Sequence, residues 1–355
     1  MKPKRVRLQD IARAARVSPA TVSRVINRTG RVSQEIQDRV QASADRLSFD
    51  LRDRRKPRLV AFVLGNRSLL HPFHSRILAG AEACCAQHGY HVVFLSVSYR
   101  PDVQPDDLQL PLILQRRDFV DGYILAGAHS QNLLDVLGAT GQPVAVQGNN
   151  VMRPWRDDQY DTVYYDDVDG SQSATRYLRT LGHRDIWFVG NRRMPWFDRC
   201  FVGFERAMTE DGLAARSLSP DSEQPREAGY LGAKSLLAAQ EPVTAIFAGS
   251  DATAQGVCEA LRDSGLRVPD DVSVAGVDDI EALSMHPRLA TVHIFLEQVG
   301  RQLADFVISR VAQPHLSVRT VTVPTRLVKG ESCAPPPASG PAVVPAIGDM
   351  AEASS

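Results

Sequence analysis

Asp278 and Asp279 stand side by side, and a pair of carboxylates is the usual equipment for general acid and base work. Adjacent residues rarely aim at one reacting bond, however, so the pair does not by itself imply catalysis. His71-Pro72-Phe73-His74 offers two imidazoles close enough to share a metal, but Pro72 intervenes and no third ligand is near in sequence. The five cysteines, at 84, 85, 200, 258 and 333, lack any Cys-x-x-Cys spacing. They suit neither a zinc site nor a disulfide framework and read as reduced, packing thiols. A phosphate-cradling Gly-rich loop and a nucleophile elbow are both missing. The expectation is therefore a protein that is not an enzyme, with no metal and no cofactor.

Charge points to a different chemistry. Residues 1–58 hold 16 Lys/Arg against 6 Asp/Glu, and the remainder hold 25 against 35, so a neutral chain divides into a +10 end and a −10 body. Such segregation favours binding of a polyanion through the N-terminus. Leu8, Ile11, Ala12 and Ala15 recur with the spacing of a short helix with one buried face. After a short break, Ser18 can cap a second helix and Pro19 suits its first position. That helix buries Val22, Val25 and Ile26 and presents Ala20, Thr21, Arg24, Asn27 and Arg28, small or polar residues that can approach DNA closely. A third amphipathic helix, with Ile36, Val40 and Leu47 inward and Ser33 as its cap, closes a mini-core. Two short helices, a tight turn and an open basic second helix describe a helix-turn-helix.

The literal run Val17-Ser-x-x-Thr-Val-Ser-Arg-Val-Ile-Asn27 strongly resembles the headpiece of lactose-repressor-type (LacI/GalR) transcription regulators. The resemblance implies that Pro19, Ala20 and Arg24 reach base edges in the major groove, with Ser18, Thr21, Ser23 and Asn27 near phosphates. Arg24 is the candidate for bidentate contact with guanine. Arg16 stands where the family has Gly in the turn, which predicts an unusual φ for a residue with a Cβ. The family's hinge helix has no counterpart in Ser48-Phe-Asp-Leu-Arg-Asp-Arg-Arg-Lys-Pro57. Arg54 and Arg55 there serve either a solvated linker or a basic strap along the DNA backbone.

From Arg58 onward, apolar runs of strand length (59–64, 92–97, 122–126, 144–146, then 186–189, 245–248 and 272–277) alternate with helical stretches, beginning with a helix near 73–88. Strand, crossover and strand in series mean parallel sheets with helices on both faces. Two such sets predict two similar lobes with a cleft at the strand ends. The stretches at 173–186, 203–208, 244–251, 266–279 and 324–328 resemble the same family's effector-binding core. By that resemblance Phe73, His74, Trp196, Ser250 and Asp278 face the ligand. Cys200 stands where the family often has a clamping Arg, and Arg199 is its candidate replacement. The ordinary alternatives are packing for Trp196, a surface position for His74 and a structural cap for Asp278.

The chain thus reads as a small all-α helix-turn-helix headpiece (1–49), a short basic linker (50–57), an α/β two-lobe periplasmic-binding-protein-like core (58–330) and a disordered Pro/Ala/Ser-rich tail (331–355). The function implied is a ligand-responsive transcription regulator, a repressor by preference, binding a pseudo-palindromic operator as a homodimer. A sugar or other small polar metabolite is the expected effector. The alternatives are a DNA-binding regulator whose core only dimerises, and a sugar-binding protein with a vestigial headpiece. No apolar run approaches membrane-span length and no signal peptide is evident, so a cytoplasmic protein is expected.

Overall fold

The computed structural model describes residues 7–27, 29–47, 49, 57–68, 71–115, 119–152, 154–338 and 340. The chain divides into two units at Arg58/Leu59. The first holds α1 (Leu8–Ala15), α2 (Pro19–Asn27) and α3 (Gln34–Arg46) around Ile11, Ala12, Ala15, Val22, Ile26, Val40 and Ala44. Helix α1 starts with Asp10 accepting from the Arg7 amide at 2.8 Å and ends at Arg16, whose φ of 54° is left-handed. The predicted strain at that non-glycine turn is present. Ser18 caps α2, its hydroxyl accepting from the Thr21 amide at 3.0 Å. Ser33 occupies the cap position of α3 but makes no side-chain cap bond, contrary to expectation. Gln37 instead reaches back to the Val32 carbonyl at 2.9 Å. Residues 50–56, which hold most of the expected linker, lie outside the described residues.

The second unit runs β1 (Leu59–Gly65), α4 (Pro72–Gln87), β2 (His91–Val97), α5 (Leu112–Gln115), β3 (Gly122–Gly127), α6 (Gln131–Gly138), β4 (Val144–Gln147) and β5 (Asp161–Tyr165). It continues with α7 (Asp167–Thr180), β6 (Ile186–Val189), α8 (Pro195–Thr209), β7 (Arg216–Leu218), α9 (Pro225–Ala238), β8 (Ala245–Ala248), α10 (Asp251–Asp263) and β9 (Ser273–Asp278). The last elements are β10 (Ala290–Ile294), α11 (Leu296–Ala312), β11 (Thr320–Val323) and β12 (Thr325–Val328). Two six-stranded sheets result, ordered β11-β5-β4-β3-β1-β2 and β12-β10-β9-β8-β6-β7. The described pairings are parallel except β12 against β10. Apolar side chains fill both faces of each sheet, as strands covered by crossover helices require. The chain passes between lobes at Asp166, Phe295 and Pro324, so a change in lobe angle bends three neighbouring strands of backbone together. Gly80 on α4 and Gly300 on α11 let those helices touch backbone to backbone, since a Cβ at either would strike the carbonyl of Glu297 or Ile77.

The expected disordered tail is corrected over 331–338. The Glu331 and Ser332 amides donate to the Arg288 carbonyl at 2.7 and 3.1 Å. The Ser332 hydroxyl donates to the Val274 carbonyl at 2.6 Å and accepts from the Ala290 amide at 2.8 Å. Buried His183 donates from Nε2 to the Ala334 carbonyl at 2.8 Å, and the Ala334 amide donates to the Ser273 hydroxyl at 3.0 Å. Composition lacked large apolar residues here, but the segment is held by backbone and short hydroxyl bonds that composition does not weigh. Residues 341–355 lie outside the described residues. A chain ended at Gly330 should lose roughly 2–4 kcal/mol of stability relative to one ended at Ala338, because buried partners are left unmade. Equal urea midpoints for the two would show that the strap adds nothing.

Candidate nucleic-acid interface and ligand cleft

On α2 the structure brings the predicted DNA-facing residues onto one side. Ser18, Pro19, Ala20, Arg24 and Asn27 are exposed, while Thr21 and Ser23 are half-buried beside them. The Thr21 hydroxyl is 2.9 Å from that of Ser18, and Asn27 Nδ2 donates to the Ser23 hydroxyl at 3.3 Å. Val22 and Ile26, on the opposite side, anchor the helix in the core. Arg24 makes no ion pair with any described residue, and its stem packs 3.8 Å from where a Gly30 Cβ would sit. A free guanidinium on a small-residue face is what groove entry requires. Arg54 and Arg55 lie outside the described residues.

In the second unit a cavity of about 950 Å³ opens at the carboxyl ends of both sheets. Asn66 and Arg67 reach it from the end of β1, Tyr99 from beyond β2, Asn150 from beyond β4, Tyr165 from β5 and Asp278 from β9. The first two turns of α4, α8 and α10 add Phe73 and His74, Trp196 and Cys200, and Ala252, with Ser250 at the α10 cap.

Phe73 meets His74 and Tyr165 edge-on, with centroids 5.2 and 5.9 Å away. His74 is buried rather than at the surface. Burial, helped by His71 and Arg67, lowers its pKa to about 3, so the imidazole is neutral, and its Nδ1 has no partner among the described residues. The Arg67 guanidinium lies 4.5 Å over the Trp196 ring and faces the charge of Glu223. His71 turns its Nε2 to Glu281 at 3.7 Å, and no group of three or more metal-ligating side chains occurs among the described residues.

Asp278 sits at φ 114°, and no donor among the described residues reaches its carboxyl group. Burial, with the carboxylates of Asp251, Glu281 and Asp167 around it, pushes that carboxyl well above the usual range. The neighbouring Asp279, at φ 56°, turns to His293 at 2.8 Å, so the adjacent carboxylates diverge. Beneath them Asp251 accepts from the Thr291 hydroxyl at 2.5 Å and the Ile280 amide at 2.8 Å. Burial dominates these bonds and raises its pKa to about 7. That lies above the roughly 3.9 of an unfolded Asp, so stability falls as pH rises between the two values. Asp251→Asn should therefore gain about 2–3 kcal/mol relative to wild type on going from pH 5 to pH 8, read by urea denaturation at both. A pH-independent difference would mean that Asp251 is ionised throughout.

One sequence expectation needs correction. Arg199 does not line the cleft: its Nε donates to both oxygens of buried Asp167 at 2.8 and 3.0 Å. One residue along a helix is a turn of about 100°, and that turn aims Arg199 at Asp167 while Cys200 faces the cavity. Ser250 does line the cleft, but its hydroxyl is engaged as the α10 cap, accepting from the Thr253 amide at 3.1 Å. Cys200 is buried, its thiol directed at the Gly249 carbonyl at 3.9 Å and its pKa raised by burial, so it acts as an apolar filler. Sequence reading missed Asn66, Arg67, Tyr99, Asn150, Tyr165 and Glu223. Proximity to strand ends was the available signal for all but Glu223.

A basic helix-turn-helix unit followed by a two-lobed α/β core with a cleft at its strand ends defines a DNA-binding regulator with a ligand pocket. Residues 7–50 match the bacterial regulatory proteins of the lacI family, and residues 175–333 match the periplasmic binding protein-like domain. The chain is 29% identical to the ribose operon repressor of Haemophilus influenzae over 341 residues, covering 92% of this chain and 98% of the relative. It is 28% identical to the HTH-type transcriptional repressor PurR of Glaesserella parasuis over 323 residues, covering 86% and 90%. Its fold matches the transcriptional regulator CelR in complex with cellobiose (26% identity, TM-score 0.67, 92% and 100% covered). It also matches the lac repressor dimer bound to operator and an anti-inducer (23% identity, TM-score 0.68, 93% and 100% covered). The N-terminal unit thus matches the lacI family of bacterial regulatory proteins, and the chain is similar to repressors over nearly their whole length.

Proposed function

We propose that this protein is a homodimeric, effector-controlled repressor whose two α2 helices read the half-sites of a pseudo-palindromic operator. The observation that carries the reading is the pairing, in one chain, of an open helix face bearing Arg24 with a cleft holding Asp278, neither side chain engaged by a partner among the described residues. In this reading residues 1–49 are the headpiece, Ser18, Thr21, Ser23 and Asn27 hold phosphates, and Pro19, Ala20 and Arg24 meet bases. Phe73, His74, Trp196 and Asp278 contact a sugar-like effector, the class of ligand in the CelR–cellobiose complex. Arg54 and Arg55 add phosphate contacts from the linker. The protein acts in the compartment that holds its DNA, and no helix among the described residues is long and apolar enough to cross a membrane. Nothing in this role requires catalysis.

Each headpiece alone binds weakly, and joining two raises the effective concentration at the second half-site. A ligand with different affinities for two lobe arrangements shifts operator affinity by a coupling of about 1–3 kcal/mol, roughly 5–150-fold. An open cleft of about 950 Å³ with unpartnered polar atoms favours a sensing core over one that only dimerises. The test is selection of bound sequences from random duplex DNA by the full chain. Recovery of an inverted repeat with one guanine-containing half-site per headpiece supports the reading, and a single unpaired site or no enrichment contradicts it.

A further inference from the structure

We infer that the cleft takes an uncharged, polyhydroxylated ligand of two or more joined rings and rejects phosphorylated or carboxylated sugars. The inference rests on the sensor reading above and deepens it.

The first argument is charge. Among the described residues lining the cavity Arg67 is the one fixed cation, set against the carboxyl groups of Glu223 and Asp278. Arg67 is already occupied, lying over the Trp196 ring at 4.5 Å and facing Glu223. Arg199, beside Cys200, is held by Asp167 at 2.7 Å, and Arg100, Arg193 and Arg226, which also adjoin lining residues, are paired with Asp102, Asp221 and Glu259. An anionic ligand would meet Glu223 and find no unengaged cation among the described residues lining the cavity, and a buried charge without a partner is strongly disfavoured.

The second argument is size. About 950 Å³ falls near the top of the roughly 300–1,000 Å³ that enclose drug-sized ligands. One sugar ring leaves much of that volume to water.

The third is the distribution of partners. One neighbourhood holds lining polar groups that lack partners among the described residues: Asn150 Oδ1, His74 Nδ1 and the Asp278 carboxyl, beside the rings of Phe73 and Tyr165. Ligand hydroxyls can both donate to and accept from such groups. The other neighbourhood, around Trp196 with Phe197 5.9 Å away and Met194 nearby, offers aromatic faces and a thioether, with Arg67 lying over the Trp196 ring. A flat aromatic face suits the C–H face of a second ring. Arg67 must slide off Trp196 for that ring to stack, which makes Arg67 and Trp196 specificity-determining residues.

Calorimetric titration of the full-length protein with cellobiose, maltose, trehalose, glucose, ribose, glucose 6-phosphate and ribose 5-phosphate tests this. The expected result is at least one disaccharide binding tenfold or more tightly than glucose and ribose, with no heat from either phosphate. Trp196→Ala should weaken that disaccharide at least tenfold while moving glucose less than threefold. A monosaccharide or a phosphate ester binding as tightly as any disaccharide overturns the inference and leaves the sensor reading standing. A disaccharide indifferent to Trp196→Ala overturns it too. Silence across the panel overturns it together with the sugar-sensor reading.

Discussion

Arg24→Ala should abolish discrimination between the operator and unrelated DNA while leaving the folded protein intact. Arg24 is exposed and unpaired by charge among the described residues, so its loss removes nothing from the headpiece core of Val22, Ile26 and their neighbours. A guanidinium seated on guanine O6 and N7 supplies about 1–3 kcal/mol of base discrimination. Two headpieces double that to about 2–6 kcal/mol, a loss of roughly 30-fold to more than 10⁴-fold in specific affinity. The salt dependence should change little, because its slope counts phosphate neutralisation and Arg24 is assigned to a base. Arg24→Lys should fail similarly, since an ammonium cannot make the paired contact. Fluorescence anisotropy on operator and scrambled duplexes at one salt concentration reads the result. Unchanged selectivity would remove α2 from base recognition.

The second large effect is at Asp278. Its carboxyl has no donor among the described residues and is surrounded by Asp251, Glu281 and Asp167. A group held at such cost to the free protein is explained by a partner that arrives later. Asp278→Asn should therefore raise the melting temperature of the free protein, because the crowding of acids is relieved, and weaken effector binding at the same time. Loss of a hydrogen bond to a charged or buried acceptor is worth about 1.5–3 kcal/mol, or roughly 10–150-fold in ligand affinity. Operator affinity without ligand should stay within about twofold, since no residue of the headpiece is altered. If the variant is less stable than wild type and still responds to effector, Asp278 is a structural cap rather than a ligand contact.

Much of this architecture was legible in the residues, for reasons that also explain the failures. The headpiece showed because its helices are short, its stripe of Ile11, Ala12 and Ala15 is regular, and Ser18-Pro19 marks a helix start. The strands showed because residues covered on both faces form continuous apolar runs. Arg199 was misplaced because its partner, Asp167, is 32 residues upstream, and no local spacing reports that pairing. Ser250 lines the cleft where the sequence placed it, and its hydroxyl also caps α10. The strap at 331–338 escaped because its bonds run through carbonyls and amides, for which composition carries no signal. Asn150, Tyr165 and Arg67 converge from three strand ends, and only the sheet order brings them together.

The central claim is that one molecule links the cleft to the operator, and linkage must be reciprocal. The most direct measurement is therefore a closed cycle: effector affinity with and without saturating operator, and operator affinity with and without saturating effector, at one salt concentration. The account predicts the same factor on both sides, roughly 5–150-fold. A wild-type cycle in which a ligand bound in the cleft leaves operator affinity unchanged would contradict it.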